Sequence, residues 1–158
     1  GGDWGENRLV PDLIKAFSNK NEAVIRNPDA VRPWQHVLEP LAGYLVLAEN
    51  LISDNDNSFT GAWNFGPDQA DAQPVKWVAD KIVNCWPSEA NWKIDERHYP
   101  HEANYLKLDC SKALSRLNWS PKWNLDETIL KVVDWYSAFN NKKDVKEVCL
   151  KQIKEYMS

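Results

Sequence analysis

Three arginines and two histidines are the residues of this chain best placed to do chemistry. Arg8 stands just ahead of an apolar run that reads as a helix, where free backbone N–H groups and the helix dipole favour a negative ligand. Arg32 sits in Val31-Arg32-Pro33-Trp34, between a candidate strand and a helix start. A guanidinium can grip a phosphate through two parallel hydrogen bonds, which a lysine cannot. Arg97 lies beside His98 and near His101. Singly, each arginine reads as a surface charge. Together, in loops between apolar helices, they point to a pocket for a diphosphate. His98 and His101 also neighbour Glu96, Glu102 and Cys110 in the sequence. A zinc site asks for a more orderly ligand set, so this stretch reads as a polar loop facing a cleft.

Other chemistries lack their signatures. The sequence holds no G-x-G-x-x-G, no P-loop, no Y-x-x-x-K pair and no nucleophile elbow. Lys and Arg number 19 against 23 Asp and Glu, a formal charge of −4. That mild acidity argues against nucleic-acid binding, whose footprint is basic. No apolar run approaches the ~20 residues that cross a bilayer. Cys85, Cys110 and Cys149 are scattered and odd in number, which reads as reduced thiols and a cytoplasmic setting. The nine tryptophans are unusual for 158 residues. Trp86 and Trp135 fall in helical runs and read as core. Trp4 and Trp34 lie in irregular segments beside charges, where a flat ring could also meet a ligand.

The elements that must hold these residues are mainly helices. Val10, Leu13, Ile14 and Phe17 fall at helical spacing, with Pro11 tolerated in the first turn. Leu38, Leu41, Ala42, Leu45, Ala48 and Ile52 form a second stripe. Val75 to Trp86 forms a third, opened by Pro74 and closed by Pro87. A short helix follows Ser111. Asn124 and Glu127 form a capping-box pair ahead of Leu125, Ile129, Val132, Val133 and Tyr136. After the polar break at 140–143 comes a last amphipathic helix with Val145, Val148, Ile153 and Tyr156. The expected division is therefore 1–139 as a ligand-binding portion and 140–158 as a C-terminal helix. Strand candidates are few: Glu22 to Arg26, Ala62 to Phe65, Trp92 to Asp95 and Tyr105 to Asp109. Such short, scattered strands make a poor sheet by themselves. Ala62 to Phe65, followed by Gly66-Pro67, reads as a parallel strand whose neighbours lie elsewhere. The expectation is the C-terminal part of a larger α/β protein.

The motifs resemble a known family. Gly2-Asp3-Trp4-Gly5-Glu6-Asn7-Arg8-Leu9-Val10-Pro11-Asp12 resembles the segment after the sixth strand of extended short-chain dehydrogenase/reductase enzymes that act on nucleotide-sugars. Arg32-Pro33-Trp34-Gln35-His36-Val37 resembles their R-D-W-x-Y-V. Trp63-Asn64-Phe65-Gly66 resembles Y-N-I-G, Leu117-Asn118-Trp119-Ser120-Pro121 resembles L-G-W-x-P, and Val133-Asp134-Trp135-Tyr136 resembles a closing helix with W-Y. Residues 1–12, 32–45 and 100–113 are similar in particular to the CDP-glucose 4,6-dehydratase branch. Pro33, His36 and Glu39 depart from the broad pattern but fit that branch. Asn118 stands where relatives have glycine, and Asn adopts the left-handed conformation readily.

The resemblance implies an α/β fold: the mostly helical C-terminal lobe of such an enzyme, with a few short strands and without most of the Rossmann sheet. It implies lyase chemistry on CDP-glucose. Tightly bound NAD oxidises C4, water leaves across C5 and C6, and hydride returns to C6, giving a precursor of bacterial surface polysaccharide sugars. NAD and the catalytic groups belong to the N-terminal Rossmann half. The 158 residues would then bind substrate, be inactive alone, and belong to a homodimeric full-length protein. Residue by residue, the resemblance places Arg8 and Arg32 against the nucleotide-sugar, Arg32 at its diphosphate. It places Gln69 near phosphate or ribose, and His101 and Tyr105 over the ligand. The alternatives are a stand-alone nucleotide or sugar-binding module, or another nucleotide-sugar dehydratase or epimerase.

Overall fold

A computed structural model describes residues 2–53, 55–97 and 103–158. Helix α1 spans Leu9–Ser18 and α3 spans Val75–Cys85. Helix α5 spans Leu125–Asn140 and α6 spans Val145–Met157. The helical periodicity read from the sequence turns one stripe of each of the first three inward. Leu13, Ile14 and Phe17 of α1 meet Val78, Ala79 and Ile82 of α3 and Ile129, Val133 and Tyr136 of α5. These form the main core. The capping box at α5 is present: Asn124 Oδ1 accepts from the Glu127 N–H at 2.9 Å, and Glu127 accepts from the Asn124 N–H at 3.1 Å. Tyr136 ties the N-terminal loop to this core by donating to the Asp3 carbonyl at 2.6 Å.

The strands are brief. β1 (Ala23–Ile25) pairs in parallel with β4 (Trp92–Ile94). β2 (Val31–Pro33) pairs antiparallel with β3 (Ala72–Pro74), Arg32 opposite Gln73. Two expected strands are corrected. Ala62 to Phe65 forms no ladder among the described residues. Its apolar, extended character is real, but a strand exists only where another backbone pairs with it. Tyr105 to Asp109 reduces to a single parallel bridge between Tyr105 and Val31. Among the described residues no further ladder pairing joins it, because β2 beyond Val31 turns its pairing to β3.

Helix α2 (Leu38–Ser53) and α4 (Ser111–Leu117) make a second, smaller assembly. Phe65, Ala113, Leu117 and Trp119 are its buried members, with Val46 and Leu47 of α2 against them. Contact is very close at Gly43, where an added Cβ would lie 2.3 Å from the Phe65 ring. Asn118 ends α4 at φ 49°, the left-handed conformation that glycine supplies in the related pattern. Among the described residues, no helix is long and apolar enough to cross a membrane.

Candidate functional site

A cleft of about 250 Å³ opens where three backbones converge. Asn7 and Leu9 bring the N-terminus of α1, Arg26 and Asn27 follow the last residue of β1, and Arg32 comes from β2. Asn7 is left-handed at φ 61°, which turns the loop into the helix. Asparagine tolerates that conformation better than most residues. The α1 N-terminus, which has no side-chain cap and carries first-turn N–H groups only at Leu9 and Val10 because Pro11 has none, lies beside the cleft. Two guanidinium groups line it against one carboxylate, Asp12. Trp34 contributes a ring to the wall, fixed by donation from Nε1 to the Gln73 carbonyl at 2.9 Å. This is an anion-accepting cleft with an aromatic side.

Arg32 is half-buried and held. Its Nη1 donates to the Val31 carbonyl at 2.9 Å and to the Ala103 carbonyl at 2.8 Å. Val31 takes part in the same clasp, donating its N–H to the Asn104 carbonyl at 2.8 Å. The structure thus brings Arg32 and the Tyr105 segment together. Tyr105 itself is exposed, with Lys107 Nζ 5.2 Å from its ring. Arg8 does not line the cleft. It caps α1 by backbone alone, and its guanidinium pairs with Asp3 at 3.0 Å in solvent. The Gly5 N–H, and then Arg8, hold the Asp3 carboxyl below its ordinary pKa. Gln69 lies apart, in a cleft of about 190 Å³ with Cys110 and Trp119. Arg97 pairs with Asp95 at 2.7 Å on another face. His101 and His98 lie outside the described residues. Among the described residues, no His, Cys, Asp and Glu group could hold a metal ion.

Trp86 and Trp135 are buried in the main core, as their helical spacing predicts. Trp4 is 46% exposed, its ring edge-on to Tyr136 at 5.2 Å. Arg26, Asn27 and Asn7 are the cleft residues that motif reading passes over. A signal for the first two exists: polar residues just beyond the carboxyl end of a parallel strand are where α/β folds bind ligands.

His36 lies on the strap that leaves β2 for α2, and burial dominates its chemistry. Its pKa falls to about 4, mainly from desolvation, with the Lys131 charge adding. Nδ1 accepts from the Leu38 N–H at 3.2 Å, so the neutral ring carries its proton on Nε2.

No family model matches the chain. Over all 158 residues it is 46% identical to a CDP-glucose 4,6-dehydratase of Salmonella typhimurium, spanning 44% of that protein's length. Among solved structures, a dTDP-glucose 4,6-dehydratase from Bacillus anthracis in complex with NAD superposes with a TM-score of 0.66. The match has 14% identity and covers 89% of this chain and 42% of that one. A UDP-glucose 4-epimerase from Stenotrophomonas maltophila, with bound NAD and a formylated UDP-arabinopyranose, gives 0.70 at 17% identity, covering 86% and 41%. Another UDP-glucose 4-epimerase gives 0.73 at 18%, covering 86% and 42%. The chain therefore matches, along its whole length, the C-terminal part of a CDP-glucose 4,6-dehydratase, and it is folded like part of the nucleotide-sugar dehydratases and epimerases.

Proposed function

We propose that this chain is the CDP-sugar-binding portion of an NAD-dependent CDP-glucose 4,6-dehydratase. The observation that carries the reading is the arginine cleft. Arg32 is clasped to the Tyr105 segment and faces the same opening as Arg26 and the α1 N-terminus. Two guanidinium groups and free N–H donors suit a diphosphate, and Trp34 offers an apolar face to a ring. The cleft is smaller than the ~300–1,000 Å³ of a usual ligand site, as suits one wall of a larger one. Holding the nucleotide end fixes where the sugar projects. Binding energy from such remote groups is what positions reacting carbons.

NAD does not fit these residues. The sequence has neither a glycine-rich βα turn to cradle its pyrophosphate nor a Y-x-x-x-K pair to face its nicotinamide. On this reading nicotinamide and the proton-transfer groups come from a Rossmann portion like the rest of the relative's length. Two features support such a neighbour. The extended segment 62–65 joins no ladder among the described residues, its Ala62 and Phe65 carbonyls taking only side-chain donors, and α2 beside it exposes Leu41, Tyr44, Leu45 and Ile52. An apolar helix face flanking a strand is what a parallel sheet covers.

The test is a calorimetric titration with CDP, UDP and dTDP. CDP is expected to bind in preference, and Arg32→Ala to weaken it about tenfold or more, the loss of a hydrogen bond to a charged group. Equal affinity for the three nucleotides, or an unchanged affinity in Arg32→Ala, overturns the reading. The chain alone is expected to show no turnover of CDP-glucose.

A further inference from the structure

The cleft arginine and the last helix are joined by one short strap. Seven positions beyond Arg32, in the first turn of α2, Glu39 is fully buried at 0% exposure. A buried carboxylate survives only if its lone pairs are met. Three donors from far along the chain meet them. The Trp123 N–H reaches Oε1 at 2.9 Å, the Lys122 N–H reaches Oε2 at 3.0 Å, and the Tyr156 hydroxyl reaches Oε2 at 2.7 Å. Burial and the Glu39 charge both raise the Tyr156 pKa, so the hydroxyl stays a donor.

The same residues grip the strap a second time. The His36 ring stands edge-on to Trp123 at 4.9 Å, and Trp123 stands edge-on to Tyr156 at 5.0 Å. Helix α6 is itself fastened: Lys122 Nζ donates to the Tyr156 carbonyl at 2.8 Å, and Gln152 Nε2 to the Lys131 carbonyl at 2.8 Å. Between its ends the strap is also held by Trp34 Nε1 donating to the Gln73 carbonyl and Gln35 Nε2 to the Phe65 carbonyl, each at 2.9 Å. At its upstream end Arg32 is clasped to the Ala103 carbonyl. At its downstream end positions 36 and 39 rest on Trp123 and Tyr156.

We propose that Tyr156 is a positioning residue for the cleft: through Glu39 it fixes the strap that carries Arg32, so the C-terminal helix tunes nucleotide binding without touching the nucleotide. The nucleotide readout rests on the CDP-binding reading above; the mechanical coupling does not.

The experiment compares Tyr156→Phe with Leu117→Ala, a truncation in the second cluster, both in the full chain. Tyr156→Phe keeps the ring and removes one donor. Nitrogen NMR of the ligand-free chain reads Arg32 Nε and the Trp34 indole, and titration reads CDP affinity below both melting temperatures. Tyr156→Phe is expected to move both resonances and weaken CDP about fivefold, the scale of coupling between linked sites. Leu117→Ala is expected to lower the melting temperature at least as much, yet leave affinity within about twofold, because Leu117 neither lines the cleft nor takes part in the Glu39–Tyr156 contact. Combining Glu39→Gln with Tyr156→Phe is expected to weaken binding no further than Glu39→Gln alone. Unmoved resonances in Tyr156→Phe, or an equal loss of affinity in Leu117→Ala, overturns the proposal. If the wild-type chain binds no CDP, the CDP-binding reading fails, and the resonances alone decide the coupling.

Discussion

The α1–α3–α5 assembly and the α2 arm treat their apolar residues in opposite ways, although α2 is the most apolar of the four helices. In the first, every stripe finds a partner within the chain, and Leu13, Ile14, Phe17, Ile82 and Tyr136 are each no more than 1% exposed. In α2, sixteen residues long, only Glu39 and Gly43 are buried, while Leu45 is 68% and Ile52 87% exposed. Helix α2 is also less one-sided than α1 or α3, its apolar residues spread over more of its circumference. What differs further is whether a second surface arrives to cover the stripe. A helix apolar on most of its faces belongs inside something. The first assembly can therefore hold a cleft by itself, while the second presents a face to whatever completes the protein.

The largest expected effect tests the closed half. Phe17→Ala removes a ring packed against Trp86 at 6.0 Å and should cost about 3–5 kcal/mol in denaturant unfolding. Leu45→Ala on α2 should cost no more than about 0.5 kcal/mol, because its side chain is already in water. Equal costs would break the comparison, since both halves would then be equally packed.

His36 sits at the junction of the two halves and should make their connection pH-sensitive. Its folded pKa, about 4, lies below the ordinary value of 6.5, so the unfolded chain binds more protons between these values. The stabilisation from the neutral ring is complete above pH 6.5. It is lost as the pH falls from there to about 4, and the change is about 3 kcal/mol. His36→Asn keeps an acceptor for the Leu38 N–H and removes the titration. Stability measured against pH should lose its slope between pH 6.5 and 5, above the range where carboxylates titrate. A slope that survives the substitution would place the titrating group elsewhere.

What the sequence made legible follows from how local each signal is. The capping box at Asn124 and Glu127, the proline bounds of α3 and the left-handed Asn118 depend on neighbours within a few residues, and all are present. Arg32 was legible as a cleft residue because Pro and Trp follow it in a distinctive run. Arg26 had no motif around it and was marked only by its place at the carboxyl end of a short strand, a signal that needs the strand's parallel partner to be read. Glu39 was hidden more deeply. Its partners lie 83 to 117 positions away, and nothing local separates a buried glutamate from an exposed one in a first helical turn. Segment 62–65 shows the reverse: a strong local strand signal that only a pairing backbone can satisfy.

The smallest effect on stability carries the finest test of the open half. Leu41, Leu45, Ala48 and Ile52 recur at helical spacing and are all exposed, while Val46 and Leu47 turn towards Phe65 and Trp119. Leu45→Lys with Ile52→Lys therefore puts charge only where water already is. Unfolding free energy should change by no more than about 0.5 kcal/mol. Self-association should fall, because a contiguous apolar patch is what joins soluble chains at high concentration. Sedimentation of the double variant beside the unaltered chain reads this directly. Unchanged stability with weaker association means the stripe is open in solution. A loss of stability much above that bound would mean the chain covers the stripe itself, and the contrast between the two halves would dissolve.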